Sequence, residues 1–267
     1  MATFPRRPID RRLTIGRPHT VAASRFSRAQ ETGDTVRAAR QTRERPAAGG
    51  CQSARKEWPH SVSDSAQRVL GTLLGILLAP LIGFLALMVR VDSPGPAIYR
   101  ADRIGQGGRR FRCLKLRTMR WHPGGRGAAI TTRDDVRVTR VGSFLRRYRL
   151  DELPQLVNVA RGEMNLVGPR PEDPRYVDLT DPLHLAVFSA RPGITGLTQL
   201  AFADEASLID PADSDRHYRE TILPTKLALD RDYLRRRSLR LDLWILGQTL
   251  GTALGRRTSR EAIEARR

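Results

Sequence analysis

The chain has 267 residues, of which 47 are lysine or arginine and 28 are aspartate or glutamate, so its net charge is +19. This balance favours negatively charged partners, which include nucleic acid, anionic lipid headgroups and phosphorylated substrates. The two cysteines, Cys51 and Cys113, argue against a disulfide scaffold and favour a reducing cytosolic setting, and the cysteines and histidines lack the spacing of metal ligands.

Residues 1–66 are rich in Arg, Ala, Thr, Ser and Pro and have no sustained hydrophobic period. Such a segment cannot bury enough apolar surface to offset chain entropy, so we predict a disordered basic tail. The long apolar stretch begins only near Val69, too late for a signal peptide. A solvated linker, a lipid-binding segment and a translation start placed too far upstream are all open explanations of this tail. We predict a second disordered tail over residues 256–267.

Residues 69–89 form a stretch of 21 residues without a charge, long enough for one helix to cross the ~30 Å hydrocarbon core of a membrane. Pro80 lies at its midpoint, where it removes a hydrogen bond and bends a helix into two arms of roughly 15 Å. Basic residues flank the stretch on both sides: Arg55, Lys56, Arg68, Arg90, Arg100 and Arg103. Because positive charge prefers the cytoplasmic side, we predict a re-entrant membrane hairpin over residues 67–91 with both ends in the cytosol. A single full span is the alternative.

Two short strands are predicted after this segment, at residues 97–100 and 110–117, with glycines at the tip of the hairpin. Lys115 and Arg117 share one face of the second strand by its period of two. They are candidates to hold a site together or to contact a diphosphate, although isolated strand charges are more often solvated. His122 follows in a glycine-containing loop, and we interpret it as a loop residue rather than a proton shuttle.

A basic amphipathic helix comes next, because Val141, Phe144, Leu145 and Tyr148 follow an i, i+3, i+4, i+7 pattern. Such a helix can pack on the body of the protein. It can also lie in the plane of the lipid headgroups and bring Arg146 to a phosphate there.

Residues 149–171 read RLDELPQLVNVARGEMNLVGPRP and place two adjacent carboxylates, Asp151 and Glu152, among basic residues. Asp151 is suited to cap a helix, Pro154 to its first turn and Gly162 to its end. At a helix N-terminus both carboxylates are expected to be ionised, and a phosphate can dock nearby. Two carboxylates beside a phosphate usually need a divalent cation, for which Mg²⁺ is the usual choice. The alternative is a helix cap and a first-turn charge with no chemistry.

The same stretch ends with Arg170 between Pro169 and Pro171, which stiffen the backbone around it. A rigidly presented guanidinium suits a phosphate or a carboxylate, whereas a lone arginine is more often a surface charge.

Two helices are predicted near the C-terminus. The first has an apolar stripe formed by Tyr218, Leu223, Leu227 and Leu234. The second covers residues 239–254 around Trp244, with Ser238 suited to cap it. We expect both helices to pack on the body, while Trp244 and the arginines at 235–237 leave contact with a membrane interface open.

Three motifs together resemble the bacterial sugar transferase family, the monotopic phosphoglycosyl transferases. They are KLRTM at residues 115–119, DELPQLVNVARGEMNLVGPRP at 151–171 and RPGITGLTQ at 191–199. The resemblance extends from about Arg68 to about Ala253. It implies a monotopic membrane protein of mixed α/β fold, helix-rich with a small β-hairpin, an N-terminal re-entrant helix-break-helix and amphipathic interfacial helices. The cytosolic catalytic domain is then expected over residues 92–255, at the bacterial inner membrane.

The resemblance also implies a reaction. A sugar-1-phosphate passes from a UDP-sugar to a polyprenyl (undecaprenyl) phosphate, UMP is released, and Mg²⁺ assists. In the family's covalent mechanism Asp151 attacks the phosphorus, Glu152 supports the metal or accepts a proton, Arg146 contacts phosphate and Arg170 the nucleotide. Membrane lipids are expected partners, nucleic acid is not, and a homo-oligomer is left open.

The chain departs from common family residues near the membrane segment. Ala79 stands where a Ser often precedes the proline, and Gln67, Arg68 and Gly71 stand where a basic pair and an Asp are common. Thr198 occupies a place where many relatives have Trp, in a turn expected to line the sugar pocket, so the sugar is not predicted.

Two other functions are open. A membrane-tethered nucleic-acid-binding protein would use the same charge, but interleaved aromatic residues and a recognition-helix module are not seen. An inactive scaffold of the same fold would not need the dyad and Arg170. Release of nucleoside monophosphate distinguishes the three.

Overall fold

The computed structural model describes residues 63–122, 130–132, 135–210, 213–255 and 262–263. The predicted N-terminal tail lies outside the described residues except at 63–66, and the loop after His122 lies mostly outside them as well.

The first element is helix α1, Asp64–Asp92, which Ser63 caps by accepting a hydrogen bond from the Ala66 amide at 3.2 Å. In the part of the chain that the structure describes, α1 is the one helix long and apolar enough to cross a membrane. Many of its large apolar side chains are exposed, among them Ile76 and Leu77. Helical structure continues through Pro80, so the predicted break between two arms is wrong as a break in secondary structure. One proline removes one hydrogen bond, which a long helix can accommodate by bending. The re-entrant path stays a prediction.

The start of α1 is packed into the body of the protein. The side-chain oxygen of Gln67 accepts a hydrogen bond from the Leu166 amide at 3.0 Å. At Gly71 the helix approaches so closely that an added Cβ would lie 2.5 Å from Val159 Cγ1. The residues that depart from the family pattern at this end therefore make defined contacts.

The predicted hairpin is confirmed. Strands β1, Ile98–Ile104, and β2, Arg110–Leu116, pair antiparallel, with Tyr99 opposite Lys115. Strand β1 extends four residues beyond its predicted end. A short 3₁₀ turn, Gln106–Gly108, closes the tip.

The elements around the dyad are short. Helix α2, Arg140–Arg147, is followed by a single 3₁₀ turn at Leu150–Glu152 and by helix α3, Gln155–Ala160. Strands β3, Asn165–Val167, and β4, Gly193–Thr195, then pair parallel. This second sheet was not predicted, because three-residue strands show no measurable alternation.

The remaining elements form the helical half of the body. They are helix α4, Pro182–Phe188; helix α5, Leu197–Ala201; a 3₁₀ turn, Glu205–Ser207; helix α6, Ser214–His217; a π turn, Tyr218–Ile222; helix α7, Leu223–Arg236; and helix α8, Leu239–Ala253. Ser238 caps α8 by accepting from the Leu241 amide at 3.3 Å, as predicted.

The stripe predicted for α7 and the turn before it is buried at all four positions: Tyr218, Leu223, Leu227 and Leu234. Two further buried side chains, Leu145 of α2 and Ile245 of α8, show that these helices also pack on the body. Ile263 is 4 % exposed and belongs to the main core. Apart from residues 262–263, the predicted C-terminal tail lies outside the described residues. The helix-rich fold with small sheets agrees with the predicted class.

Candidate active site

The two adjacent carboxylates lie in the 3₁₀ turn Leu150–Glu152. The turn follows Arg149, whose backbone is left-handed (φ 56°, ψ 21°) and which is the one non-glycine residue with positive φ among the described residues. Asp151 is therefore not a helix cap, and the predicted helix N-terminus at the dyad is wrong: α3 begins only at Gln155. The left-handed residue turns the chain before the helix can start, and such strain is typical of functional sites.

Glu152 is surrounded by cations. Its carboxylate lies 2.7 Å from Lys115 Nζ, 3.8 Å from Arg149 Nη1 and 3.8 Å from Arg170 Nη1. Burial opposes its ionisation, but Lys115, Arg170 and Arg149 together outweigh burial and lower the pKa of Glu152 to about 2. Glu152 is a fixed negative charge at neutral pH.

Asp151 has the opposite environment. It is 9 % exposed, and no residue that the structure describes donates a hydrogen bond to its carboxylate. Burial, with the Glu152 charge in addition, raises the pKa of Asp151 to about 6 against the pull of Lys115, Arg146 and Arg149. The carboxylate is thus mostly ionised at pH 7, desolvated, and not engaged by a donor.

The predicted basic residues lie at different places around this pair. Arg146 of α2 donates through Nε to Thr118 Oγ1 at 2.8 Å and is close enough to Asp151 to interact with its charge. Lys115 reaches the site from β2, and Arg170 from the turn after β3. All three line one cleft.

The guanidinium of Arg117 is engaged elsewhere. It donates to the backbone carbonyls of Pro94, Ser93 (2.7 Å) and Val89 (3.3 Å), at the C-terminal end of α1. These bonds hold the end of α1 against β2. Of the two roles considered for Arg117, holding the structure together is the one that its contacts support.

A buried polar network beside Arg170 was missed by the sequence analysis. Lys226 is 2 % exposed, and its Nζ lies 2.9 Å from Glu172 Oε1 and 2.7 Å from the Tyr218 hydroxyl, which donates to Glu172 Oε2 at 2.8 Å. The signal that could have found it is the presence of Lys226 and Asp230 on the apolar face of α7. A charge on a core-facing position needs a buried partner.

The cleft in front of these groups has a volume of about 1800 Å³. Among the described residues that line it, fourteen are basic and eight are acidic, which suits an anionic substrate. Tyr99, Trp121 and His122 are exposed on its wall. Thr198, expected to line a sugar pocket, borders the cleft but is fully buried, and its hydroxyl donates to Asp230.

The donor set fits a metal that takes only part of its ligands from the protein. No group of three or more His, Cys, Asp or Glu side chains suited to a metal occurs in the described ranges. Mg²⁺ commonly binds one or two carboxylates and completes its shell with water and substrate phosphate oxygens. The unengaged carboxylate of Asp151, with Glu152 adjacent in the chain, meets that requirement.

Comparison with known proteins is consistent with this geometry. A sequence model described as "Bacterial sugar transferase" matches residues 58–256. The chain is 41% identical over 205 residues to the UDP-glucose:undecaprenyl-phosphate glucose-1-phosphate transferase of Caulobacter vibrioides, an alignment that covers 73% of this chain and 72% of the relative.

Two further relatives differ in length. The exopolysaccharide production protein ExoY of Sinorhizobium fredii is 36% identical over 197 residues, 68% of this chain and 80% of that protein. The UDP-N-acetylgalactosamine-undecaprenyl-phosphate N-acetylgalactosaminephosphotransferase of Aeromonas hydrophila is 35% identical over 192 residues, 70% of this chain but 42% of that longer protein. The family match covers well over half of the chain and includes the carboxylate pair, Lys115, Arg146 and Arg170. The chain therefore belongs to the bacterial sugar transferase family.

Proposed function

We propose that this protein transfers a sugar-1-phosphate from a UDP-sugar to a polyprenyl (undecaprenyl) phosphate and releases UMP, at the cytosolic face of the bacterial inner membrane. The names of its relatives support the donor and the acceptor. The basic cleft supports an anionic donor, and the apolar helix α1 supports an acceptor held in the membrane. The step begins a lipid-linked glycan, such as an exopolysaccharide, capsule, O-antigen or glycoprotein glycan.

The observation that carries the proposal is the contrast between the two carboxylates. Glu152 is paired with Lys115 at 2.7 Å, whereas Asp151 is buried and accepts no hydrogen bond from the described residues. A desolvated carboxylate without a donor is a better nucleophile than a paired one. Asp151 is accordingly the nucleophile, and Glu152 holds the surrounding cations in place.

The reaction then takes two steps at one carboxylate. An Asp151 oxygen bonds to the phosphorus attached to the sugar, the bond from that phosphorus to the UMP oxygen breaks, and UMP leaves with the electron pair. An oxygen of the polyprenyl phosphate next attacks the same phosphorus, and the acyl phosphate bond breaks to restore Asp151. The product is a polyprenyl diphosphate sugar, and no oxidant or reductant is needed.

The cationic side chains supply the electrostatic part of this mechanism. Phosphoryl transfer depends on positioning and on neutralising charge more than on acid-base chemistry. Lys115 and Arg170 flank Glu152 and face the cleft, and Arg146 approaches Asp151 from α2. Asp151 and Glu152 would hold Mg²⁺, which would supply further charge neutralisation.

The test is a single-turnover experiment without the lipid acceptor. With wild-type enzyme, Mg²⁺ and the correct UDP-sugar, about one equivalent of UMP is expected in a burst, and the peptide that contains Asp151 gains the mass of one phosphosugar. Asp151→Asn should abolish the burst and turnover, because an amide cannot form the acyl phosphate. Asp204→Asn, the same change at an exposed residue of the cleft wall, is the matched control and should retain both.

Substantial turnover by Asp151→Asn, or a burst with no adduct on that peptide, would contradict the covalent step. Direct transfer between donor and acceptor would then be the mechanism. A panel of UDP-sugars scored by UMP release identifies the donor sugar.

A further inference from the structure

The turn that presents Arg170 has one backbone donor. Pro169 and Pro171 carry no N–H, so the Arg170 amide is the single N–H of this tripeptide. It donates to Asp230 Oδ2 at 3.2 Å, while the Pro169 carbonyl accepts from the Gly193 amide at 2.9 Å. Asp230 therefore connects the turn to helix α7. The bond from Gly193 connects the same turn to strand β4.

The carboxylate of Asp230 is itself held by Thr198. Asp230 is 3 % exposed, and its second oxygen accepts a hydrogen bond from the hydroxyl of Thr198, which is fully buried. The same hydroxyl lies 3.3 Å from a second possible acceptor, the Lys226 carbonyl oxygen. A buried carboxylate is stable only when donors satisfy it, and the loss of one donor lets it reorient toward others. Thr198 thus sets the direction of the oxygen that binds the Arg170 amide.

These hydrogen bonds fix the backbone that carries the Arg170 guanidinium. With the backbone fixed, Arg170 Nη1 lies 3.8 Å from Glu152 Oε1, and the side chain is 28 % exposed to the cleft. Arg170 is also one of the residues that line the cleft. A guanidinium fixed in this way binds an anion without first losing conformational freedom.

We propose that Thr198 and Asp230 are positioning residues for Arg170, which they aim at the diphosphate of the nucleotide donor. Neither residue needs to contact the donor: Asp230 fixes the turn, and Thr198 fixes Asp230. This inference rests on the proposed function, since it takes a nucleoside diphosphate sugar as the ligand of Arg170.

The experiment is a double-mutant cycle read by nucleotide binding and by kinetics. Thr198→Val keeps the branched shape and removes the donor. We expect it to raise the Kd for UMP and the KM for the UDP-sugar about tenfold with less than a twofold change in kcat, because ground-state binding is what Arg170 supplies. In an Arg170→Ala background the same substitution should change both constants less than twofold. Thr198→Ser, which keeps the hydroxyl, should restore wild-type values.

The matched control is Thr249→Val, which removes another threonine hydroxyl, one that lies 2.6 Å from Thr195 Oγ1 and donates to the Ile245 carbonyl at 2.8 Å. It should leave both constants unchanged. The proposal would be overturned if Thr198→Val raised the Kd and the KM by the same factors with and without Arg170. It would also be overturned if Thr198→Val changed neither constant. If Thr198→Val does not fold, Asp230→Asn enters the same cycle with the same expectation.

Hydrogen exchange separates failure of this proposal from failure of the proposed function. Arg170 has the one exchangeable amide of residues 169–171, and its exchange should be about tenfold faster in Thr198→Val than in wild type or Thr249→Val. If wild-type protein releases no UMP from any UDP-sugar, the proposed function is wrong. Exchange of the Arg170 amide still reports in that case whether Thr198 and Asp230 hold the turn. Unchanged exchange of the Arg170 amide would overturn the positioning role by itself.

Discussion

Asp151 and Glu152 are adjacent carboxylates whose pKa values differ because their surroundings differ. Glu152 is buried among three cations that outweigh its desolvation, and its pKa falls to about 2. Asp151 is buried, none of the residues that the structure describes donates to its carboxylate, and burial raises its pKa to about 6. Two carboxylates with pKa values displaced in opposite directions are a sign of divided roles, in which one holds charge and the other reacts.

This difference predicts how stability depends on pH. The pKa of Asp151 is higher in the folded protein, about 6, than the ordinary 3.8, so the folded state binds the proton more tightly than the unfolded state. Ionisation of Asp151 therefore lowers the free energy of unfolding as the pH rises from about 4 to 6, and the loss stays constant above that range. Asp151→Asn removes this loss. Its free energy of unfolding should exceed that of wild type by about 2–3 kcal/mol at pH 8 and by less than about 1 kcal/mol at pH 4.

Urea unfolding in detergent, with EDTA present to remove divalent cations, measures the difference at each pH. A difference that is constant from pH 4 to 8, or a variant less stable than wild type at pH 8, would show that Asp151 is not a desolvated carboxylate in the folded protein.

At the scale of elements, long periodic patterns were predictable and short or strained segments were not. The apolar run of α1, the hairpin and the stripe of α7 have enough residues to show their period. The cap assigned to Asp151 failed because Arg149 adopts a left-handed conformation, which nothing in its residue type indicates. The sequence predicted residues that the structure brings together at the candidate site, Asp151, Glu152 and Arg170 among them, but not their geometry.

The contacts between elements were the least predictable part. Lys226 and Asp230 lie on the apolar face of α7, and their partners, Glu172 and Thr198, are distant in the sequence. Only the fold brings such pairs together. Arg117 likewise binds carbonyls at the end of α1, which its place on a strand did not suggest.

The packing of α1 on α3 gives a prediction at this scale. Because an added Cβ at Gly71 would lie 2.5 Å from Val159 Cγ1, Gly71→Ala should lower the free energy of unfolding by about 1–3 kcal/mol. In a Val159→Ala background, where the methyl groups are gone, the loss of stability caused by Gly71→Ala should be smaller, and the Cβ of residue 159, 2.9 Å from the added Cβ, accounts for what remains. Gly83→Ala in the same helix is the control, since an added Cβ there meets nothing within 4 Å. Equal losses at Gly71 and Gly83 would contradict close packing as the cause.

At the scale of the whole molecule, a prediction concerns the path of α1 through a membrane. If α1 is re-entrant, cysteines at positions 60 and 125, placed one at a time in a Cys51→Ser background, should both be shielded from a membrane-impermeant thiol reagent in intact cells. Pro80→Leu should push α1 toward a full span, because it restores continuous hydrogen bonding over about 20 apolar residues. In the protein that keeps Pro80, labelling of one introduced cysteine but not the other would establish a full span. Labelling in lysed cells is the control that both cysteines can react.

The bonds of Arg117 to the end of α1 have a consequence for the lipid acceptor. Arg117 and Lys115 are two residues apart on an extended strand, a distance of about 7 Å, and they bind the end of the membrane helix and Glu152 respectively. In the proposed reaction, this extended segment fixes the distance between the carboxylate pair and the C-terminal end of α1. We therefore expect the enzyme to constrain the depth of the acceptor phosphate and to leave the length of the prenyl chain free.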